Sequence, residues 1–125
     1  MSFEPRDHLP LPHLWYNVLL ALAGGEQHGW AIIKRIRELS HGRADPSSGS
    51  LYLAMQRLVE SGLIEETEAP GEAGAGDERR RYYRLTASGR AVLRAETDRL
   101  SMLVELARRV GVLDGPVAGL AEADA

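Results

Sequence analysis

The 125-residue chain contains no cysteine, which removes disulfides, thiolate catalysis and cysteine-ligated zinc together and fits a reducing compartment. No apolar run approaches the roughly 20 residues that span a bilayer. Residues 1–12 carry Glu4, Arg6 and Asp7 among prolines and lack the basic start and apolar stretch of a signal peptide. The expected location is therefore the cytoplasm, with no membrane partner. The four histidines, His8, His13, His28 and His41, share no metal-ligand spacing, so no metal is expected. Gly71, Gly74 and Gly76 miss the dinucleotide fingerprint, because no strand-to-helix turn accompanies them. The serines at 47, 48 and 50 lack the nucleophile-elbow pattern and any convincing base. The chain reads as a non-enzyme that needs no cofactor.

What is present is ordinary globular material. Hydrophobic residues make up 44% and charged ones 26%, enough for one compact core that association would reinforce. Lysine is nearly absent, and fourteen of the fifteen basic residues are arginine, whose planar fork suits phosphates and base edges. The formal charge of −3 hides a strong segregation. Residues 1–27 carry −2, 28–59 carry +3, 60–78 carry −7, 79–109 carry +6 and 110–125 carry −3. Two basic blocks thus flank an acidic one, a pattern that a net value conceals.

Hydrophobic periodicity orders the elements. Leu11, Leu14, Trp15, Val18, Leu19 and Leu22 recur at helical spacing before Gly24-Gly25. A second helix runs from about His28 to Leu39, with Trp30, Ile33, Ile36 and Leu39 on one side. Turn formers occupy 40–46, and Ser47-Ser48 offer a hydroxyl cap to a third helix. Leu51, Met55, Leu58 and Val59 mark its apolar face, and Gly62 stops it. Leu63–Glu68 and Arg79–Leu85 read as two strands of a hairpin around a flexible glycine tip, residues 69–78. The acidic strand lies beside the arginine strand, and opposite charges across a pair favour that register. A long helix follows from Thr86 to Val110. Its residues Leu93, Leu100, Leu103, Ala107 and Val110 form a short coiled-coil seam that needs a partner. Residues 111–125 are expected to be a disordered tail.

Three short helices, a hairpin and a long terminal helix make a mainly α fold with a small β-hairpin, the winged helix-turn-helix. In it the second helix braces the third in the major groove of double-stranded DNA. The divisions are an arm at 1–10, the DNA-binding domain at 11–85, a dimerisation helix at 86–110 and the tail. Ser47, Ser48, Gly49, Ser50 and Tyr52 are small or hydrogen-bonding, so the start of the third helix can approach phosphates and base edges. Arg79, Arg80 and Arg81 on the wing, with Lys34 and Arg57, supply charge for phosphate. Each has an alternative reading: Ser48 as a helix cap, Tyr52 as a core aromatic, the arginines as partners of the acidic strand. A winged helix that binds only protein is the competing function.

Four ordered motifs sharpen this reading. They are His28-Gly29-Trp30-Ala31-Ile32, Ser48-Gly49-Ser50-Leu51-Tyr52, Leu58-Val59-Glu60-Ser61-Gly62-Leu63-Ile64 and Arg81-Tyr82-Tyr83-Arg84-Leu85-Thr86-Ala87-Ser88-Gly89. Together the four make the chain, from about Leu19 to Leu100, resemble the PadR family of transcriptional regulators, in its compact subgroup with one terminal dimerisation helix. The resemblance implies a homodimeric repressor on inverted-repeat operators that often releases DNA when a small molecule binds. It places an effector pocket at Trp15, Leu19, Leu100 and Leu103, residues that equally suit core and seam packing. The chain departs from the family at Trp30, where tyrosine is commoner, and at Leu53, where proline is frequent.

Overall fold

The computed structural model describes residues 3–68 and 81–116. Among them are four α-helices, α1 (His13–Leu22), α2 (Gly29–Leu39), α3 (Ser48–Glu60) and α4 (Ala87–Arg109). Three strands, β1 (Gln27–His28), β2 (Ile64–Thr67) and β3 (Tyr82–Leu85), form an antiparallel sheet in the order β1-β3-β2. This is the winged helix-turn-helix arrangement that the sequence implies, with one addition. The expected hairpin is β2 and β3, and β1 pairs on the far side of β3 through Gln27 opposite Tyr83 and His28 opposite Tyr82. Two residues are too few to leave a period in sequence. The glycine tip, Arg79 and Arg80, and residues 117–125 of the expected tail lie outside the described residues.

Helix ends follow local chemistry. Ser47 Oγ accepts the Ser50 amide at 3.1 Å and so caps α3, satisfying a donor that the first turn leaves open. Ser61 and Gly62 close that helix. The Leu63 amide reaches back to the Leu58 carbonyl at 3.0 Å, while Gly62 takes φ +75°, a left-handed value that glycine adopts without strain. Imidazole caps α2, where His28 Nδ1 accepts the Ala31 amide at 3.3 Å.

The core joins Val18, Leu19 and Leu22 of α1, Ile32 and Ile36 of α2, and Leu51, Met55 and Leu58 of α3 with Leu63, Ile64 and Val92. The helix faces differ in detail from the sequence reading. On α2 the buried set is Gly29, Ile32, Ile33 and Ile36, whereas Trp30 and Leu39 are exposed. On α3, Ala54 is buried and Val59 turns outward. Leu11 precedes α1 rather than belonging to it, yet is buried.

Two contacts fix α4. Thr86 Oγ1 accepts the Gly89 amide at 3.0 Å and donates to the Gly62 carbonyl at 2.7 Å, so one hydroxyl caps α4 and ties it to the end of α3. Gly89 then packs against the chain at Leu63, where an added Cβ would lie 1.8 Å from the Leu63 carbonyl oxygen. One helical face, Gly89, Val92, Leu93 and Glu96, is buried in consequence. Further along, Met102, Leu103, Leu106 and Val110 are exposed.

Glu96 secures the arm before α1. Its carboxylate, 2% exposed, accepts the Leu11 amide at 2.8 Å and the Arg99 guanidinium at 2.5 and 3.2 Å. The Arg99 hydrogen bond holds the carboxyl below its ordinary range; burial opposes this and the Leu11 amide adds to it. Above it, Tyr16 Oη lies 2.9 Å from Thr97 Oγ1. The threonine proton is committed to the Leu93 carbonyl at 2.8 Å, so the phenol is the donor.

Two outcomes follow. Gly89→Ala should lower stability by about 2–3 kcal/mol, because backbone must move to admit the methyl; an unchanged urea midpoint would refute the contact. Glu96→Gln should cost about 2 kcal/mol at neutral pH. A carboxyl lowered by folding stabilises above its unfolded pKa, and that contribution is lost as pH falls through the lowered value. The gap between wild type and Glu96→Gln, measured by urea unfolding, should therefore narrow in acid.

Candidate nucleic-acid interface

The first turn of α3 stands clear of the protein. Ser48, Gly49, Ser50, Tyr52 and Leu53 are exposed, while Leu51 anchors the turn in the core. The capping role belongs to Ser47, leaving Ser48 as the first helical residue. Ser47 Oγ donates to Ser50 Oγ at 3.0 Å, which leaves the Ser50 hydroxyl proton free to point outward. An added Cβ at Gly49 meets nothing within 4 Å. Glycine here costs helix propensity without relieving any crowding inside the protein.

Tyr52 does two things. Its phenol end lies 2.6 Å from where a Cβ on Gly29 would be, so it crosses the start of α2 while remaining half exposed. With Gln56, Val59 and Glu60 it also lines one wall of an open groove of about 340 Å³, whose other wall is Glu66, Arg81 and Tyr83 of the wing. The register Glu66 opposite Tyr83 places both on the α3 side of the sheet. The reverse face carries the pair Glu65 opposite Arg84.

The expected charge pairing between the strands is present. Arg84 Nε sits 2.6 Å from Glu65 Oε1, and Arg81 Nη1 sits 3.1 Å from Glu66 Oε1. Tyr83 Oη donates to the same Glu66 oxygen at 3.5 Å. Burial pushes the Tyr83 phenol up, the Glu66 charge adds to this, and Arg81 opposes it. The phenol therefore remains a donor through the physiological range.

The other candidates are dispersed. Arg57, on α3, pairs with Glu60 at 3.4 Å. Lys34 is exposed on α2 with Arg35, and among the described residues neither has an ion-pair partner. Trp30 is 63% exposed at the start of α2; its aromatic character made it look like core, but the helix buries Gly29, Ile32, Ile33 and Ile36 instead.

The seam candidates divide along α4. Leu93 is buried within the protomer, Leu100 and Ala107 are half-buried, and Leu103 and Val110 are exposed. Met102 and Leu106, outside the expected seam, are exposed as well. Of the four effector candidates, Leu19 is wholly in the core and Trp15 packs against it, while Leu100 and Leu103 lie on α4. A second concavity, of about 410 Å³, is lined by Arg6, Leu9, Ala95, Asp98, Arg99 and Met102 and by none of those four. Among the described residues no helix is long and apolar enough to cross a membrane, and no cluster of His, Asp and Glu could hold a metal ion.

The sequence model of the transcriptional regulator PadR-like family matches residues 18–95, from the second half of α1 to the first turns of α4. A protein of transposon TN4556 from Streptomyces fradiae, described as an uncharacterized 37.1 kDa protein, is 38% identical over 86 residues. The match takes in 69% of this chain and 22% of that protein, so the chain spans about a fifth of its relative. A PadR family transcription regulator from Clostridium difficile R20291 superposes with a TM-score of 0.67 at 24% identity, over 79% of this chain and 98% of that one. A transcriptional regulator from Clostridium thermocellum gives 0.65 at 22% identity, over 83% and 90% of the two chains. At these identities the solved structures establish the likeness of fold.

Proposed function

The chain belongs to the PadR-like family of transcriptional regulators, DNA-binding proteins rather than enzymes, and we propose that it is a homodimeric repressor acting on an inverted-repeat operator. Two copies of α3 enter successive major grooves, about one helical turn apart. The observation that carries this reading is the exposed first turn of α3, where Gly49 has open space around it. A glycine that gives up helix stability without an internal reason suits close approach of a phosphate backbone.

Around that turn, Ser47, Ser48, Ser50 and Tyr52 supply hydroxyls to phosphates or base edges. Lys34, Arg57 and the wing arginines Arg79, Arg80 and Arg81 supply charge, and Trp30 offers an indole N–H at the start of α2. Dimerisation is supported by the row of apolar side chains that α4 leaves uncovered beyond its core-facing turns. Such a row is costly in water unless a partner covers it. Repression is the output that the family resemblance implies.

An apolar or aromatic effector is proposed at the boundary of α1 and α4, near Trp15, Leu100 and Leu103. The same first helix carries Asn17, whose buried Nδ2 has no hydrogen-bond partner among the described residues, a donor that a bound acceptor would satisfy. The pairing of Arg81 and Arg84 with acidic neighbours favours the competing reading, a module that binds only protein. Titrating the protein with DNA from upstream of its own coding region, against a scrambled duplex, separates the two. Competitor-resistant binding supports the repressor, and absence of binding to either duplex at low salt supports the module.

Gly49→Ala should leave thermal stability unchanged or raise it by up to about 1 kcal/mol while weakening operator binding about tenfold; a variant that binds like wild type would remove the close-approach role. Leu103→Asp with Leu106→Asp should yield a folded monomer in sedimentation, because both sites are open in the protomer and only an interface would bury the carboxylates. A persistent dimer would rule out this face of α4.

A further inference from the structure

Glu66 occupies a position that simple charge balance does not require. Its carboxylate stands on the α3 side of the wing, in the same groove as Tyr52 and Gln56. One oxygen, Oε1, accepts both from the Tyr83 phenol at 3.5 Å and from Arg81 Nη1 at 3.1 Å. The two donors differ in kind. Tyr83 is buried and fixed by its place in β3, whereas the Arg81 side chain is 72% exposed. An ion pair this exposed holds weakly, so the guanidinium is free to exchange, while strand register keeps Glu66 on the α3 side of the wing.

Resting on the DNA-binding reading, we infer that Glu66 is a selectivity residue that competes with the phosphate backbone for Arg81. In the free protein Arg81 is turned towards Glu66. A phosphate that takes Arg81 must accept a carboxylate on the same side of the wing, at the repulsion expected of two like charges a few ångströms apart in water. A duplex seated by α3 through base contacts has other contacts to offset that repulsion. One held only by backbone charge has few, and Glu66 weakens it more. The carboxylate thereby widens the ratio of specific to generic binding, the quantity on which a regulator depends among many competing sites. Glu65 provides an internal comparison: it has the same charge and a shorter pair, with Arg84, on the opposite face of the sheet.

The test is anisotropy titration of the full chain with a generic duplex across a salt series. Wild type is compared with Glu66→Gln, Glu65→Gln, Arg81→Ala and the double variant Glu66→Gln with Arg81→Ala. Glu66→Gln should bind about fivefold tighter, with a log–log salt slope steeper by about one, the signature of one added phosphate contact. Glu65→Gln should stay within about twofold of wild type, and without Arg81 the gain from Glu66→Gln should shrink to less than about twofold. The inference is overturned if wild type binds but Glu66→Gln binds no tighter. It is equally overturned if the gain persists in full without Arg81, which would make it an effect of net charge. If wild type binds no duplex at low salt, the DNA-binding reading falls and this inference with it.

Discussion

The seat of Gly89 on the Leu63 carbonyl governs the architecture. At that point the end of α3, the start of the wing and the first turn of α4 meet within a few residues of chain. Leu63 uses its amide to close α3 and its carbonyl to accept the Thr86 amide at 3.2 Å. Thr86 in turn caps α4 and bonds the Gly62 carbonyl. Each group at the junction answers a backbone donor or acceptor that helix ends leave open. Any side chain at position 89 would force the long helix away from this seat, and with it the buried face from Gly89 to Glu96. The helix that carries the apolar row and the helix that carries the exposed serines are thereby held in one rigid relation.

Much of this was legible in sequence because it is local. Thr86 and Gly62 announce helix ends by chemistry that depends on a few neighbouring residues. The acidic and basic strands announce their pairing by charge, which Glu65 opposite Arg84 bears out. The orientation of α2 is another matter. A stripe through Trp30, Ile33 and Ile36 and one through Gly29, Ile32, Ile33 and Ile36 differ by a modest rotation of the same helix, and hydrophobicity favours the first. The core takes the second, burying Ile32 beside Ile33 and Ile36, so that Gly29 lies inward beneath Tyr52 and Trp30 turns out. That contact spans 23 positions of chain and leaves no periodic trace.

The same lesson applies to α4. A heptad rhythm runs from Leu93 to Val110, but the protomer claims the first part of it for its own core and leaves the rest outside. Glu96 falls within the buried part and would look misplaced there by polarity alone. Its partners, the Leu11 amide and Arg99, show that burial of a charge is tolerated when both carboxylate oxygens are hydrogen-bonded and the charge is paired. The candidate interface was likewise recognised by residue type, whereas the facing of Glu66 towards α3 and of Glu65 away from it follows only from strand register.

The junction also sets the aim of a long lever. From Gly89 to Arg109 the helix extends about 30 Å at 1.5 Å per residue. A tilt of about 6° at the seat carries its far end about 3 Å, close to the rise of one base pair along a DNA strand. The aim of the whole arm is therefore set by a single glycine, and its tolerance is the space between one Cα and one carbonyl oxygen.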